Sequence, residues 1–139
     1  MKRIRLVVLA VLSLTLLLTP ACGPQKITAS LGQEFQLSVG RQAFIPGEDL
    51  GIEFVRVTQD SRCPTGAVCI QAGQAVCVVH LAQASSVYEV SLTETGGSPQ
   101  DEQDYLGYHF IFNVLPYPEA GKDIRFENYR LVLKVVPVD

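Results

Sequence analysis

Ala75-Val76-Cys77-Val78-Val79-His80-Leu81 decides the fold. Ala75, Cys77, Val79 and Leu81 fall at every second position, with Val76, Val78 and His80 between them. Successive side chains of an extended chain point to opposite faces, so this period marks a strand with one strongly apolar face. The same alternation recurs outward in both directions. Phe35, Leu37 and Val39 alternate with Gln36 and Ser38; Tyr88, Val90 and Leu92 alternate with Glu89 and Ser91. Tyr129, Leu131, Leu133 and Val135 alternate with Arg130 and Lys134. In the run from Leu50 to Thr58, Ile52, Phe54 and Val57 are the inward residues, and Val55 breaks the alternation, which predicts a β-bulge. Tyr108 to Leu115 is apolar on both faces, as a central strand is, and Ile27 to Leu31 supplies a short first strand.

These segments are punctuated by Gly, Pro, Asp and Ser, and none sustains a helical period. About seven strands so spaced predict an all-β domain, an antiparallel two-sheet sandwich with an immunoglobulin-like strand count. A closed barrel is the alternative. Tyr129, at the entry to the last strand, resembles the tyrosine corner of Greek-key sandwiches. The polar stretch from Glu94 to Asp104 reads as a mobile loop between two strands.

The N-terminus sets the compartment. Lys2, Arg3 and Arg5 precede an apolar run from Leu6 to Leu18, which ends at Thr19-Pro20-Ala21-Cys22. At roughly 13 residues, the run is short of the roughly 20 that a membrane-spanning helix needs. A basic start, a short greasy middle and a small residue at the end make a signal peptide. Ala21-Cys22 resembles the lipobox of bacterial lipoproteins, which implies that Cys22 is acylated and becomes the mature N-terminus. Cleavage by a general signal peptidase near Ala21, with free secretion, is the alternative. The expected organisation is therefore a signal peptide over 1–21, a tether over 22–26 and a β-domain over 27–139. The domain would stand on the extracytoplasmic face of the cell membrane.

Removing 1–21 leaves 118 of the 139 residues, enough for one domain with a real core. Three of the 11 basic residues leave with the leader, so eight face 14 acidic ones and the formal charge is −6. Such a surface is repelled by phosphate backbones, which excludes nucleic acid as an expected partner. By the same sign it gains nothing from anionic headgroups, so the lipid is expected to anchor the domain alone. Four cysteines in an exported chain point to oxidation. With Cys22 lipidated, Cys63, Cys69 and Cys77 remain. Pro64-Thr65-Gly66 is turn chemistry that favours Cys63–Cys69, a closure contributing about 2.4 kcal/mol in the chain-entropy model. Pairing of Cys77 with either partner is the rival. Otherwise Cys77, inside a strand pattern, is a small buried hydrophobe.

No catalytic set emerges. His80 and His109 both lie in strand patterns, and no G-x-S-x-G, H-E-x-x-H or phosphate-binding glycine loop accompanies them. A blue-copper site lacks its methionine, because the only one is Met1. Three thiols without a spaced fourth ligand make a poor zinc site. Asp101, Glu102, Asp104 and Glu94 offer oxygens to calcium, but not at EF-hand spacing. No metal or other cofactor is expected. Candidate interaction residues are Arg62, beside the cysteine turn, and Tyr105 and Tyr117, in an aromatic and proline-rich neighbourhood.

The stretch Asp60-Ser61-Arg62-Cys63-Pro64, followed by Cys69 and by Gly73-Gln74-Ala75, resembles a motif of uncharacterised bacterial secreted and lipoprotein β-domains. Leu115-Pro116-Tyr117-Pro118 and the strand from Tyr129 resemble the C-terminal half of that group. Gln71 stands where the group usually has an aromatic, and Cys77 is extra. The resemblance implies a disulfide-clasped β-domain and no assigned chemistry. The expected function is a non-enzymatic, lipid-anchored module that binds a protein or an envelope component. An inhibitor of an extracytoplasmic hydrolase, using the loop 95–104, and a thiol/disulfide redox protein are the alternatives.

Overall fold

The computed structural model describes residues 26–138. The expected signal peptide and the lipidation position Cys22 lie outside the described residues. Nine strands are present: β1 (Lys26–Thr28), β2 (Glu34–Ser38), β3 (Arg41–Ile45), β4 (Leu50–Asp60), β5 (Gln74–Gln83), β6 (Ser86–Thr95), β7 (Asp101–Tyr105), β8 (Tyr108–Leu115) and β9 (Arg130–Pro137). A single 3₁₀ turn, Phe126–Asn128, precedes β9. The strands form a five-stranded sheet, β1-β3-β4-β5-β6, and a four-stranded sheet, β2-β9-β8-β7.

Their inward residues make one core in a sandwich-like arrangement. Ala75, Cys77, Val79 and Leu81 of β5 are fully buried, as their period requires. They pack with Ile52 and Phe54 of β4 and Leu92 of β6 against Phe110, Phe112 and Val114 of β8 and Leu131, Leu133 and Val135 of β9. Each such Leu, Val or Phe contributes about 1.5–3 kcal/mol by leaving water. The expected bulge in β4 is present: the register with β5 shifts between Phe54 and Arg56, and again between Val57 and Gln59.

Four expectations need correction. The strands number nine among the described residues, not seven, because β3 and β7 are strands that hydrophobic periodicity did not mark. In β3, the exposed Phe44 hides the alternation of the buried Ala43 and Ile45. In β7, Asp101, Gln103 and Tyr105 point toward β6 with polar groups, so there is no apolar period to read; the stretch 94–104 is mostly strand rather than loop. The sheets are not wholly antiparallel, since β1 runs parallel to β3. The chain passes from β1 to β2 in the other sheet before returning to β3, and that crossover removes the hairpin that would force antiparallel pairing. Strand β1 also begins one residue inside the expected tether, at Lys26.

Candidate functional site: a buried arginine beneath a clasped loop

Arg62 follows the end of β4, where the two sheets close over each other. Its guanidinium has five N–H donors, and every one is used. Nε donates to Asp60 Oδ1 at 2.9 Å and one terminal nitrogen to Asp60 Oδ2 at 2.6 Å. That same nitrogen donates to Pro116 O at 3.0 Å. The other reaches Glu94 Oε1 at 3.1 Å and Val114 O at 2.6 Å. Tyr117 lies under the cation, its ring centre 5.0 Å from the guanidinium carbon. Asp60 also accepts from Tyr129 Oη at 3.1 Å, and Glu94 accepts from the Val114 amide. The side chain of Arg62 is 0 % exposed, and no buried side-chain polar atom lacks a partner among the described residues.

Burial works against the Arg62 charge, but the Asp60 and Glu94 carboxylates outweigh it and hold the cation above its ordinary value. Burial likewise raises the Glu94 carboxyl, with the Val114 amide and Arg62 pulling the other way. The Tyr129 hydroxyl, buried and facing Asp60, is pushed up to about 12. The arrangement links β4 and β6 of one sheet to β8 and the chain after it in the other. Every buried side-chain polar atom of this centre already has a partner.

Above this centre projects a loop closed by the Cys63–Cys69 disulfide, whose Cα atoms are 5.9 Å apart. Its base is a short extension of the β4–β5 ladder: Ser61 N donates to Gln74 O at 2.8 Å and Cys63 N to Ala72 O at 2.8 Å. Its flank is tied to the segment after β8, with Thr65 N donating to Pro118 O at 2.9 Å and Ala120 N to Thr65 O at 3.0 Å. At its tip, Val68 and Ile70 are 103 % and 105 % exposed, the two most exposed large apolar side chains among the described residues.

No family model, curated protein or solved structure matches the chain. The residues of the motif at 60–75 have packing roles. Asp60 and Arg62 form the buried pair, Ser61 bridges to the Gln74 backbone through its hydroxyl, and Cys63 closes the loop. Gly73 has φ +70°, and a Cβ there would sit 1.8 Å from Ser61 O, so only glycine allows the loop to re-enter β5 so close to its exit. Ala75 then starts the buried face of β5.

The candidate interaction residues fare differently. Arg62 is inaccessible to a partner, because two carboxylates and two carbonyls hold it inside. Tyr105 is half-buried; its hydroxyl donates to Ser91 O at 3.0 Å and its ring meets Phe110 edge-on. Tyr117 serves as the face for the Arg62 cation. Tyr129 makes no tyrosine corner: its hydroxyl goes to the Asp60 side chain and not to a nearby backbone group. The acidic residues weighed as calcium ligands diverge, Glu94 to Arg62, Asp101 to the Thr95 amide, and Glu102 and Asp104 to His109. His80 sits between Glu53 and Glu89 on the outer face of β5, with no nucleophile on either nitrogen. Cys77 is buried and its thiol is pushed up to about 12 by desolvation, then by Glu94. A shallow pocket of about 240 Å³ lies between Phe44 and Val87 over Gly51 and Ala82. Sequence reasoning passed over Val68 and Ile70. The signal was available, two apolar residues flanking Cys69 inside a turn with no strand period to bury them.

Proposed function

We propose that this chain is a lipid-anchored, extracytoplasmic module of the cell envelope that works by docking and performs no chemistry. Its two layers are those of an immunoglobulin-like sandwich, enlarged by β3 and β7. Acylation at Cys22 holds it at the membrane, and the clasped loop is its working surface. The observation that carries this reading is the contrast between the two halves of the site. The buried charges satisfy one another completely, whereas the apolar tip at Val68 and Ile70 is left in water on a fixed base. Contiguous exposed apolar groups on a rigid loop are how proteins mark a docking surface.

The buried, strongly protonated Cys77 weighs against the thiol redox reading. An inhibitor of an extracytoplasmic hydrolase remains the second reading, now favoured by the clasped loop and not by 95–104, part of which is β7. Mass measurement of the mature N-terminus tests the anchor: acylated Cys22 is expected, and Cys22→Ser should release the protein from membranes. Retention of the unacylated variant on membranes would refute the anchor. A photo-crosslinker at position 70 in intact cells should give a discrete product, and none should form from position 87, which is exposed at the other end of the sheet.

A further inference from the structure

We propose that the clasped loop is a membrane wedge, in which Val68 and Ile70 seat in the interface of the same bilayer that holds the lipid on Cys22. The inference rests on the anchor reading above and names what the loop docks to.

Chain direction supplies the first argument. Strand β1 is parallel to β3, and β3 is antiparallel to β4, so the N-terminal end of β1 faces the Asp60 end of β4. That is the end from which the loop projects. Three residues lie between Cys22 and Lys26, so the four steps from one to the other reach about 14 Å at most. Lys26 is level with Gln42 and Glu53, and Asp60 lies seven residues further along β4, about 23 Å. A lipid at Cys22 therefore draws the loop end toward the bilayer, with the molecule leaning on its β1 edge so that anchor and loop tip reach one plane.

The chemistry of the tip supplies the second. Residues 63–73 carry no charge, so entering the interface strands no ion. Val68 and Ile70 cannot fold back onto the core, because the disulfide and the bonds to Pro118 and Ala120 fix the loop that bears them. The neighbouring segment after β8 adds Phe126, 53 % exposed, to the same end. Its cations are already partnered, Lys122 with Glu119 at 2.5 Å and Arg125 with Glu127 at 3.9 Å. Attachment is thus apolar and does not depend on headgroup charge, as the net charge of −6 after the leader requires. A tethered wedge needs little affinity of its own, because the lipid already holds it at high local concentration.

The chain has no tryptophan, so one introduced indole reports alone. Full-length protein carrying Val68→Trp, Ile70→Trp or Val87→Trp is purified from membranes and reconstituted in phosphatidylcholine vesicles. Val87 is 67 % exposed and lies by the β5–β6 turn, at the opposite end of the sheet. Indoles at positions 68 and 70 should emit further to the blue and be quenched several-fold by brominated acyl chains, at low and high salt alike. The indole at 87 should stay in water. If acylated, vesicle-bound protein leaves positions 68 and 70 as open to aqueous iodide as position 87, the wedge is wrong and the anchor stands. If the purified chain carries no acyl group by mass and washes off the vesicles, the anchor fails and the wedge with it. A crosslink from position 70 that lands on protein instead of lipid also overturns the wedge.

Discussion

Arg62 ties one sheet to the other at this end, through Glu94 of β6 and the Val114 carbonyl of β8. A buried ion pair adds little when replaced whole, but removing one partner leaves the other charged and dry. Arg62→Met keeps the volume and strands Asp60 and Glu94, so unfolding free energy at neutral pH should fall by about 3–5 kcal/mol. The sign of the pH effect follows. In that variant Glu94, which burial already raises, loses the cation that opposed the rise and binds its proton more tightly folded than unfolded, so stability falls as pH rises and the deficit shrinks in acid. Urea unfolding of both proteins near pH 4.5 and pH 7 measures it; an equal deficit at both would show that packing, not stranded charge, is lost. His109 offers a gentler case. The Asp104 carboxylate, against a little desolvation and with Glu102 adding to it, raises the imidazole above its usual value. Stabilisation from this contact is complete below the unfolded pKa and is lost as pH rises through the folded one. Asp104→Asn should lower the midpoint seen by NMR titration of the His109 ring.

Strand β7 shows how an element can be specified by polar groups. The free edge of β6 would invite another chain, as unpaired strand edges do. Alternate residues of β7 close it: Gln103 Oε1 accepts from Thr93 N at 2.7 Å and Asp101 Oδ2 accepts from Thr95 N at 2.7 Å. Tyr105 completes the set at the Ser91 carbonyl. Each bond contributes about 0.5–1.5 kcal/mol net. The double variant Asp101→Ala, Gln103→Ala should lose about that much per site and, with the edge open, self-associate. Light scattering on a size-exclusion column would detect it; a monomer at all concentrations would show that the edge is guarded by something else. The outward residues of β7, Glu102 and Asp104, meanwhile grip His109 of β8, so both faces of this strand are read by charge and hydrogen bonding.

For the molecule as a whole, the clasp and the arginine centre act on the same end. Closing the Cys63–Cys69 loop contributes about 2.4 kcal/mol through the unfolded chain. Cys63→Ser, Cys69→Ser should therefore lower stability by that order while the two sheets, held by their common core, keep the wild-type circular dichroism spectrum. Loss of the β spectrum would mean that the clasp is needed for the fold itself. Because the loop is also tied to Pro118 and Ala120, its tip should keep much of its shape after reduction. Any loss of docking on reduction should accordingly be partial, which a binding measurement with and without reductant would show.

The alternation in β5 and β9, the bulge in β4 and the Cys63–Cys69 pairing were all legible in the sequence; β8 was legible as a strand apolar on both faces, of which the structure buries Tyr108, Phe110, Phe112 and Val114. Each depends on neighbours a few residues apart, where covalent geometry alone sets which side of the chain a side chain takes. Strands β3 and β7 were not legible, since one carries an apolar group outward and the other is polar on both faces. The fate of Arg62 was open as well. In sequence it is a charged residue beside a turn, equally suited to solvent and to burial. Its partners Glu94 and Val114 lie 32 and 52 residues away, and only the closing of one sheet over the other brings their oxygens to the guanidinium. The same end of the molecule leaves Val68 and Ile70 outside, on a loop held by the Cys63–Cys69 disulfide and by the bonds of Thr65 to Pro118 and Ala120.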